Sequence, residues 1–492
     1  MGIISILYFS LVAMFSICRF ATASADITPP VGLYHRMWGA ARHDVSTGVH
    51  RPLKAAVLLF EPLHGARKAT ERQIIVALDH CLLESAQTQA IANAIEQACG
   101  WPADRVAVVF SHTHAAGLMS LDRVTMPGGE RIPAYLDSLT TTVAQAAQEA
   151  VKQLRPVTIT YGQGVCSLAI NRDQWDDETG QWVCGYNPQG VADDTLMVAR
   201  VNAQDDGQLL LTVVNYACHP TTLAWENTLI SPDYPGALCE CVERATGAPC
   251  VFLQGASGDL GPREGFVGDV AVADRNGRQV GHAALAVLEA LPPPAQALVY
   301  QGPVISGATI GKWHYVDVEG PRREAAAEWQ ADQHALPIAY RDDLPQIKEV
   351  LVERAHLQTA EQQAEAHGDL VAAADYRALV ERKTRQLARL QLLPPGPHYP
   401  YQIRLLRIGD AVWVAVQGEP YQDLQRELRR HFPGVPIIVM TITGGWGPSY
   451  LPPAACYGKG IYQEQIAVLK PGCLEAIIDD LILHVRKLFE EK

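Results

Sequence analysis

Apolar residues along this chain fall into two periodicities. Short runs rich in Val, Ile, Leu and Phe have the length and composition of buried strands: "RVAVVF" (105–110), "LLLTVVNYA" (209–217), "PCVFLQ" (249–254), "AVWVAV" (411–416) and "PIIVMTITGG" (436–445). Each gives way at once to small, polar or ionisable residues, "SHTHAAG", "CHPTTL", "GASGDLGPRE", "QGEPYQD" and "WGPSYLPP" respectively. In open sheets with helical crossovers, ligands bind beyond the carboxyl ends of the strands, where loops from several strands meet. Five strands ending this way predict one such meeting point.

Between the strands, apolar residues recur at helical spacing. "QTQAIANAIEQACG" (87–100), with Gly100 as C-cap, "IPAYLDSLTTTVAQAAQEAVKQL" (132–154), "DRNGRQVGHAALAVLEAL" (274–291), "YQDLQRELRRHF" (421–432) and "CLEAIIDDLILHVRKL" (473–488) all predict helices. Residues 320–393, rich in Ala, Glu, Gln, Arg and Leu, predict an inserted helical pair whose charges form a solvated face. The strand and loop pattern resumes after "PPGPHYPYQ". The expectation is an α/β fold: a single large layered domain with mixed sheets, interrupted by a helical insertion at about 320–393.

Composition narrows the function. The 492 residues are 48% hydrophobic and 19% charged, as a globular protein requires, and 40 Lys+Arg against 53 Asp+Glu leave a net charge of −13. Such a chain has no general attraction for phosphate backbones, so no nucleic-acid partner is expected. The apolar stretch from Ile3 to about Cys18 followed by "ATASA" fits a secretory signal over residues 1–25, with the working domain at 26–492. That predicts a secreted or periplasmic protein. No Lys or Arg precedes the apolar run, however, and "FATASADITPP" also reads as an opening strand, which would leave the chain cytoplasmic. The eleven cysteines include no CxxC pair; Cys239 and Cys241 lie two apart on a predicted helix and read as core residues.

The loops carry metal-ligand chemistry. In an extended chain His112 and His114 point to the same side and can address one ion. His219, Glu419 and Tyr450 add nitrogen and oxygen donors of the type that zinc takes, and a catalytic zinc keeps one position for a water whose pKa falls to about 7. Each alone has an ordinary structural explanation: a capped turn histidine, a helix-start glutamate, a half-buried tyrosine. Three familiar motifs are absent: HxHxDH, HExxH and the serine hydrolase elbow, for which "GASGD" places Gly258 one residue too close to Ser257. Those glycines and Asp259 predict instead a tight turn bringing backbone near the site.

Taken in order, "ADITPPVG", "TGVHRPLKAAVLLFE", "SHTHAAG", "AINRDQW", "NYACHPTTL", "FLQGASGDLGP", "QGEPYQDL" and "PSYLPP…YGKGIYQEQ" resemble the neutral/alkaline ceramidase family, zinc-dependent amidohydrolases that cleave the N-acyl bond of ceramide. The resemblance runs from about residue 20 to 480, apart from the helical insertion. It implies a Zn2+ site of His112, His219, Glu419 and Tyr450, with His114, Arg172 and Tyr462 at the reacting centre, and attack of a metal-activated water on an amide carbonyl. His50 matches a family histidine without an assignable role. A small-molecule or lipid N-acyl substrate and transient contact with a membrane surface follow as expected partners; the oligomeric state stays open. The chain departs from the family at Gly261, where a serine is usual, in "AAGLMS" after "HTH", and in ending without an immunoglobulin-like domain. Those departures keep two other readings open: a zinc hydrolase of another ester, lactone or amide, and a noncatalytic binding protein on the same scaffold.

Overall fold

The computed structural model describes Leu11, Val12 and residues 14–490. Eight strands form the larger sheet: β1 (Phe15–Asp26), β2 (Lys54–Glu61), β3 (Gln73–Leu78), β4 (Val106–Phe110), β5 (Arg155–Val165), β6 (Thr195–Ala203), β7 (Leu209–Tyr216) and β8 (Cys250–Gln254). Their spatial order is β8-β7-β6-β5-β1-β2-β3-β4. The β7–β8 and β3–β4 pairs are parallel and the others antiparallel. A smaller sheet contains β9 (Trp329–Ala339), β10 (His398–Ile408), β11 (Ala411–Val416) and β12 (Ile437–Met440) in chain order.

The two sheets pack face to face. Alternate residues of β2 separate cleanly: Ala56, Leu58 and Phe60 enter the space between the sheets, where they meet Leu406, Trp413 and Ile438, while Val57 and Leu59 face the opposite way. Phe60 and Trp413 bring their rings to 5.4 Å across that space. One polar residue also joins the sheets. Asn215 on β7 donates to Leu253 O at 2.9 Å and to Val439 O at 2.7 Å, and accepts from Val439 N at 3.1 Å, so strands of both sheets share one buried amide.

Helices cover the outer faces, giving four layers. The helices α1 (Ser85–Cys99) and α2 (Ile132–Val151) pack against β2–β4, and α3 (Tyr234–Thr246) and α4 (Val270–Ala290) against β6–β8. After the pair α5 (Ile347–Ala366) and α6 (Leu370–Leu392), α7 (Asp423–His431) and α8 (Cys473–Phe489) cover the smaller sheet. Gly100 ends α1 in the left-handed region at φ 71°, as a C-cap glycine should. Buried residues of α8, Leu474, Ile477, Ile478, Leu481, Ile482, Val485 and Leu488, trace one helical stripe. This is the layered α/β fold with mixed sheets that the pattern predicts.

Three expectations change. Residues 15–26 form β1, hydrogen-bonded between β5 and β2 in the interior of the large sheet. The boundary expected at 25/26 falls at the end of that strand, so residues 15–25 of the expected leader are paired within the large sheet. The start of the proposed leader, residues 1–10, lies outside the described residues. Second, the helical excursion is shorter than 320–393: residues 329–339 are the edge strand β9, paired over its whole length with β10, and only 347–392 form the helical pair. The Ala and Glu content hid a strand that gains its stability from a partner about 70 residues away. Third, the charges of α6 are not merely solvated. Arg123 makes a bidentate, buried pair with Glu381 at 2.7 and 2.9 Å, and Arg385 adds a bond to the same carboxylate at 2.7 Å. All eleven cysteines are free thiols.

Truncating the shared amide tests the coupling of the two sheets. Asn215→Ala leaves the Val439 N–H and carbonyl buried and unpaired, and urea unfolding should show a loss of about 1–3 kcal/mol per group left unsatisfied. An unchanged urea midpoint would contradict the bridge.

Candidate metal centre

The cluster begins where β4 stops. Phe110 is its last residue, and His112 takes a left-handed conformation, φ 67°, with its N–H bonded to His80 O at 2.9 Å. His112 and His114 are therefore not alternate residues of an extended chain; a sharp turn, not strand alternation, brings them together. Their Nε2 atoms still lie 3.4 Å apart.

His219 follows β7 and Glu419 follows β11, so the two sheets each contribute to one point. Glu419 Oε2 is 2.9 Å from His219 Nε2 and 3.4 Å from His112 Nε2. Tyr450 is held beside Glu419 because residues 419–420 and 450–451 pair in parallel, with Glu419 N bonded to Ser449 O at 2.8 Å. The turn after β8 closes on the same backbone. Gly258 N donates to Pro420 O at 2.8 Å, and a Cβ on Gly258 would lie 2.5 Å from the Glu419 carbonyl, so only glycine permits this approach. The tight turn predicted from "GASGD" thus presses against the strand that carries the glutamate.

Backbone carbonyls set the imidazole tautomers. His112 Nδ1 donates to Cys81 O at 2.7 Å and His219 Nδ1 to Ser257 O at 2.6 Å, which turns both Nε2 atoms toward Glu419. This outer layer is what metal-ligating histidines use. Burial, and then the Arg172 charge, push the His219 imidazole down to about 4. Burial alone would raise Glu419, but His112 and His219 hold its carboxyl well below the usual range. Two buried imidazole nitrogens facing a buried carboxylate fit a divalent cation: around a zinc ion with bonds of about 2.0–2.1 Å, tetrahedral ligand atoms sit about 3.3 Å apart, close to the spacing here. His112, His219 and Glu419 lie close enough together to hold one ion.

The other expected residues take different positions. Arg172 crosses the floor: its Nη2 reaches Tyr450 OH at 3.1 Å and Gly258 O at 2.8 Å, while its buried Nε has no partner. Tyr462 stands at the rim, half exposed, its ring 5.7 Å from that of Tyr450. His50 is not drawn into the cluster; it bonds Ser231 Oγ at 2.9 Å and pairs with Asp274 at 3.1 Å. Ser257 supports His219 through its carbonyl. Gly261 pairs with Ile170, and a Cβ there would meet Arg172 and Thr221 only at ordinary contact distances of 3.7 and 3.8 Å. Sequence reading missed Trp38, whose ring lies 5.2 Å from His114 and packs edge-on against Phe266 and Trp225. The "HRMW" stretch offers no periodic signal for it. Helix α6 supports its loop, with Ala378 against Gly39.

A family model described as the N-terminal part of neutral/alkaline non-lysosomal ceramidase matches residues 19–264. The fold is similar to that of a solved ceramidase complexed with C2, at 15% identity and TM-score 0.65, covering 96% of this chain and 76% of the other. It is also similar to the neutral ceramidase of Pseudomonas aeruginosa, at 14% identity and TM-score 0.63, covering 97% and 76%. Comparison with curated proteins by sequence returned no match.

Two measurements follow from this geometry. Glu419→Gln and His219→Ala should each lose one equivalent of bound metal per chain by elemental analysis, with metal content unchanged in both as the contrary result. His35 supplies a pH test away from the ion site. Its Nε2 bonds Ala115 O at 3.0 Å, bracing the turn after His114, and burial pushes its pKa down to about 4 despite that bond. A buried neutral histidine contributes stability above the unfolded pKa of about 6.5, lost as pH falls through the folded value. Urea midpoints should therefore drop between pH 7 and 4.5, and His35→Asn should narrow the drop.

Proposed function

Because the chain belongs to the neutral/alkaline non-lysosomal ceramidase family, we propose that it is a zinc-dependent amidohydrolase acting on an N-acyl lipid of the ceramide class. The observation that carries this reading is the approach of His112, His219 and Glu419 to one point, with both Nε2 atoms turned toward the carboxylate. Imidazole and carboxylate donors suit zinc, and Tyr450 stands beside them as the fourth ligand. When bound, zinc supplies a Lewis acid and lowers the pKa of a water to about 7.

The chain's own residues divide the remaining work. Arg172, fixed by Gly258 and Tyr450 and with Nε unpartnered, donates toward the acyl oxygen as negative charge develops there. Tyr462 at the rim can add an O–H donor. His114, whose imidazole is held neutral by burial and by the neighbouring His112 and His219, handles a proton at Nε2 next to the departing amine. Trp38, Trp225 and Phe266 offer an apolar wall beside His114, suited to a hydrocarbon chain, and they exclude water from the carbonyl. A lipid substrate brings transient contact with a membrane surface; none of the described helices is long and apolar enough to cross one.

Gly261 favours a second reading, hydrolysis of a related acyl substrate, because the family serine is missing where the site has room for it. A panel of N-acyl and O-acyl lipids assayed with and without chelator separates the two. Ceramide-type amides should be cleaved, and chelation should abolish turnover; cleavage of esters or lactones alone would select the second reading, and no turnover on any substrate would leave a binding protein. Arg172→Lys should lower kcat by about 10²-fold with little change in KM, as expected for a donor that acts on developing charge. Gly261→Ser should fold normally and shift the ratio of ceramide to other acyl substrates.

A further inference from the structure

A second cluster of metal-ligand side chains lies in a different layer, between the edge strand β9 and the C-terminal helix α8. Asp332 and His334 are two apart on β9 and project from one face; Asp480 and His484 are four apart on α8 and share one helical face. The four close into a ring. Asp332 Oδ2 is 3.1 Å from His334 Nδ1 and 2.7 Å from His484 Nδ1, and on the far side Asp480 Oδ2 is 2.7 Å from His334 Nε2. His484 Nε2 is 3.8 Å from the other Asp480 oxygen, and the two imidazoles stack at 3.9 Å. All four side chains keep between 16 and 34% of their surface accessible, so an ion can enter from solvent.

We propose that Asp332, His334 and His484 form a second, exchangeable binding site for zinc or a similar transition-metal cation, fastening the edge strand to the C-terminal helix. Two nitrogens and one carboxylate oxygen on the same side of the ring are three ligands, all within reach of one ion. Their separations of 2.7 and 3.1 Å need to open only slightly to approach the spacing of about 3.3 Å around tetrahedral zinc. Asp480 takes the outer role, accepting from the Nε2–H of His334 so that its Nδ1 carries the free lone pair, the same carboxylate–histidine arrangement that orients metal ligands elsewhere. Solvent completes the coordination. The edge strand gains most, since β9 has a sheet partner on one side only, and a cation there ties it to the helix covering the smaller sheet.

Full-length protein, loaded with zinc and freed of excess metal by rapid gel filtration, is analysed for metal alongside variants. Two zinc ions per chain are expected in the unaltered protein, and one in His484→Ala and in Asp332→Asn, with amide-hydrolysing activity retained in both. Asp332→Asn keeps the side-chain shape and serves where the histidine variant does not fold. In Glu419→Gln, whose other site is disabled, added Co2+ should still give a visible d–d absorption band that disappears in Glu419→Gln/His484→Ala, and zinc should raise the thermal midpoint of the former only. Asp480→Asn should weaken Co2+ binding about 10–100-fold. Equal zinc content in the unaltered protein and in Asp332→Asn, or a Co2+ band that survives the double substitution, would overturn the site and leave the ring as a hydrogen-bonded ion-pair network.

Discussion

The structure is organised around a buried carboxylate. Glu419 sits at the end of a strand in the smaller sheet with little access to water, and an isolated buried charge is costly unless positive or hydrogen-bonding groups compensate it. The compensation comes from His112 and His219, both carried by strand ends of the larger sheet. Neither sheet can hold the charge alone. Facing the two sheets across an apolar interior and aligning their strand ends is what brings the opposing groups to contact distance, so the packing of the sandwich and the chemistry of the site are one constraint.

That constraint explains features remote from the carboxylate. Asn215, four residues before His219, locks β7 to strands of both sheets, fixing the relative height of the layers. Gly258 lets a turn touch the Glu419 backbone, and the strained His112 conformation aims an imidazole that a regular strand would direct elsewhere. Backbone carbonyls, which cannot drift as side chains can, orient both ring nitrogens. Groups fixed in this way need little rearrangement to meet a ligand.

The helical pair has a supporting part. Its α6 buries Glu381 against Arg123 and Arg385, an arrangement that is expensive to break because any one partner removed leaves a charge behind. The same helix packs on the loop bearing Trp38, so the aromatic wall beside His114 is held by a segment that interrupts the strand pattern. On the far side of the smaller sheet, the Asp332, His334, Asp480 and His484 ring shows β9 and α8 joined by ionisable groups where a sheet edge would otherwise lie open.

Local pattern was enough to determine the five strand and loop units, the helices ending at Gly100 and covering the sheets, and the ordered motifs containing His112, His219, Glu419 and Tyr450, because period, capping and motif order are written within a few residues of each other. Tertiary structure decided the rest. It split those five strands between two sheets, turned "FATASADITPP" into an interior strand, made β9 out of a stretch that looked helical, bent His112 out of the extended form, and chose Trp38 as His114's neighbour. Each of these depends on a partner tens to hundreds of residues away, and such pairings leave no trace in the spacing of a single segment.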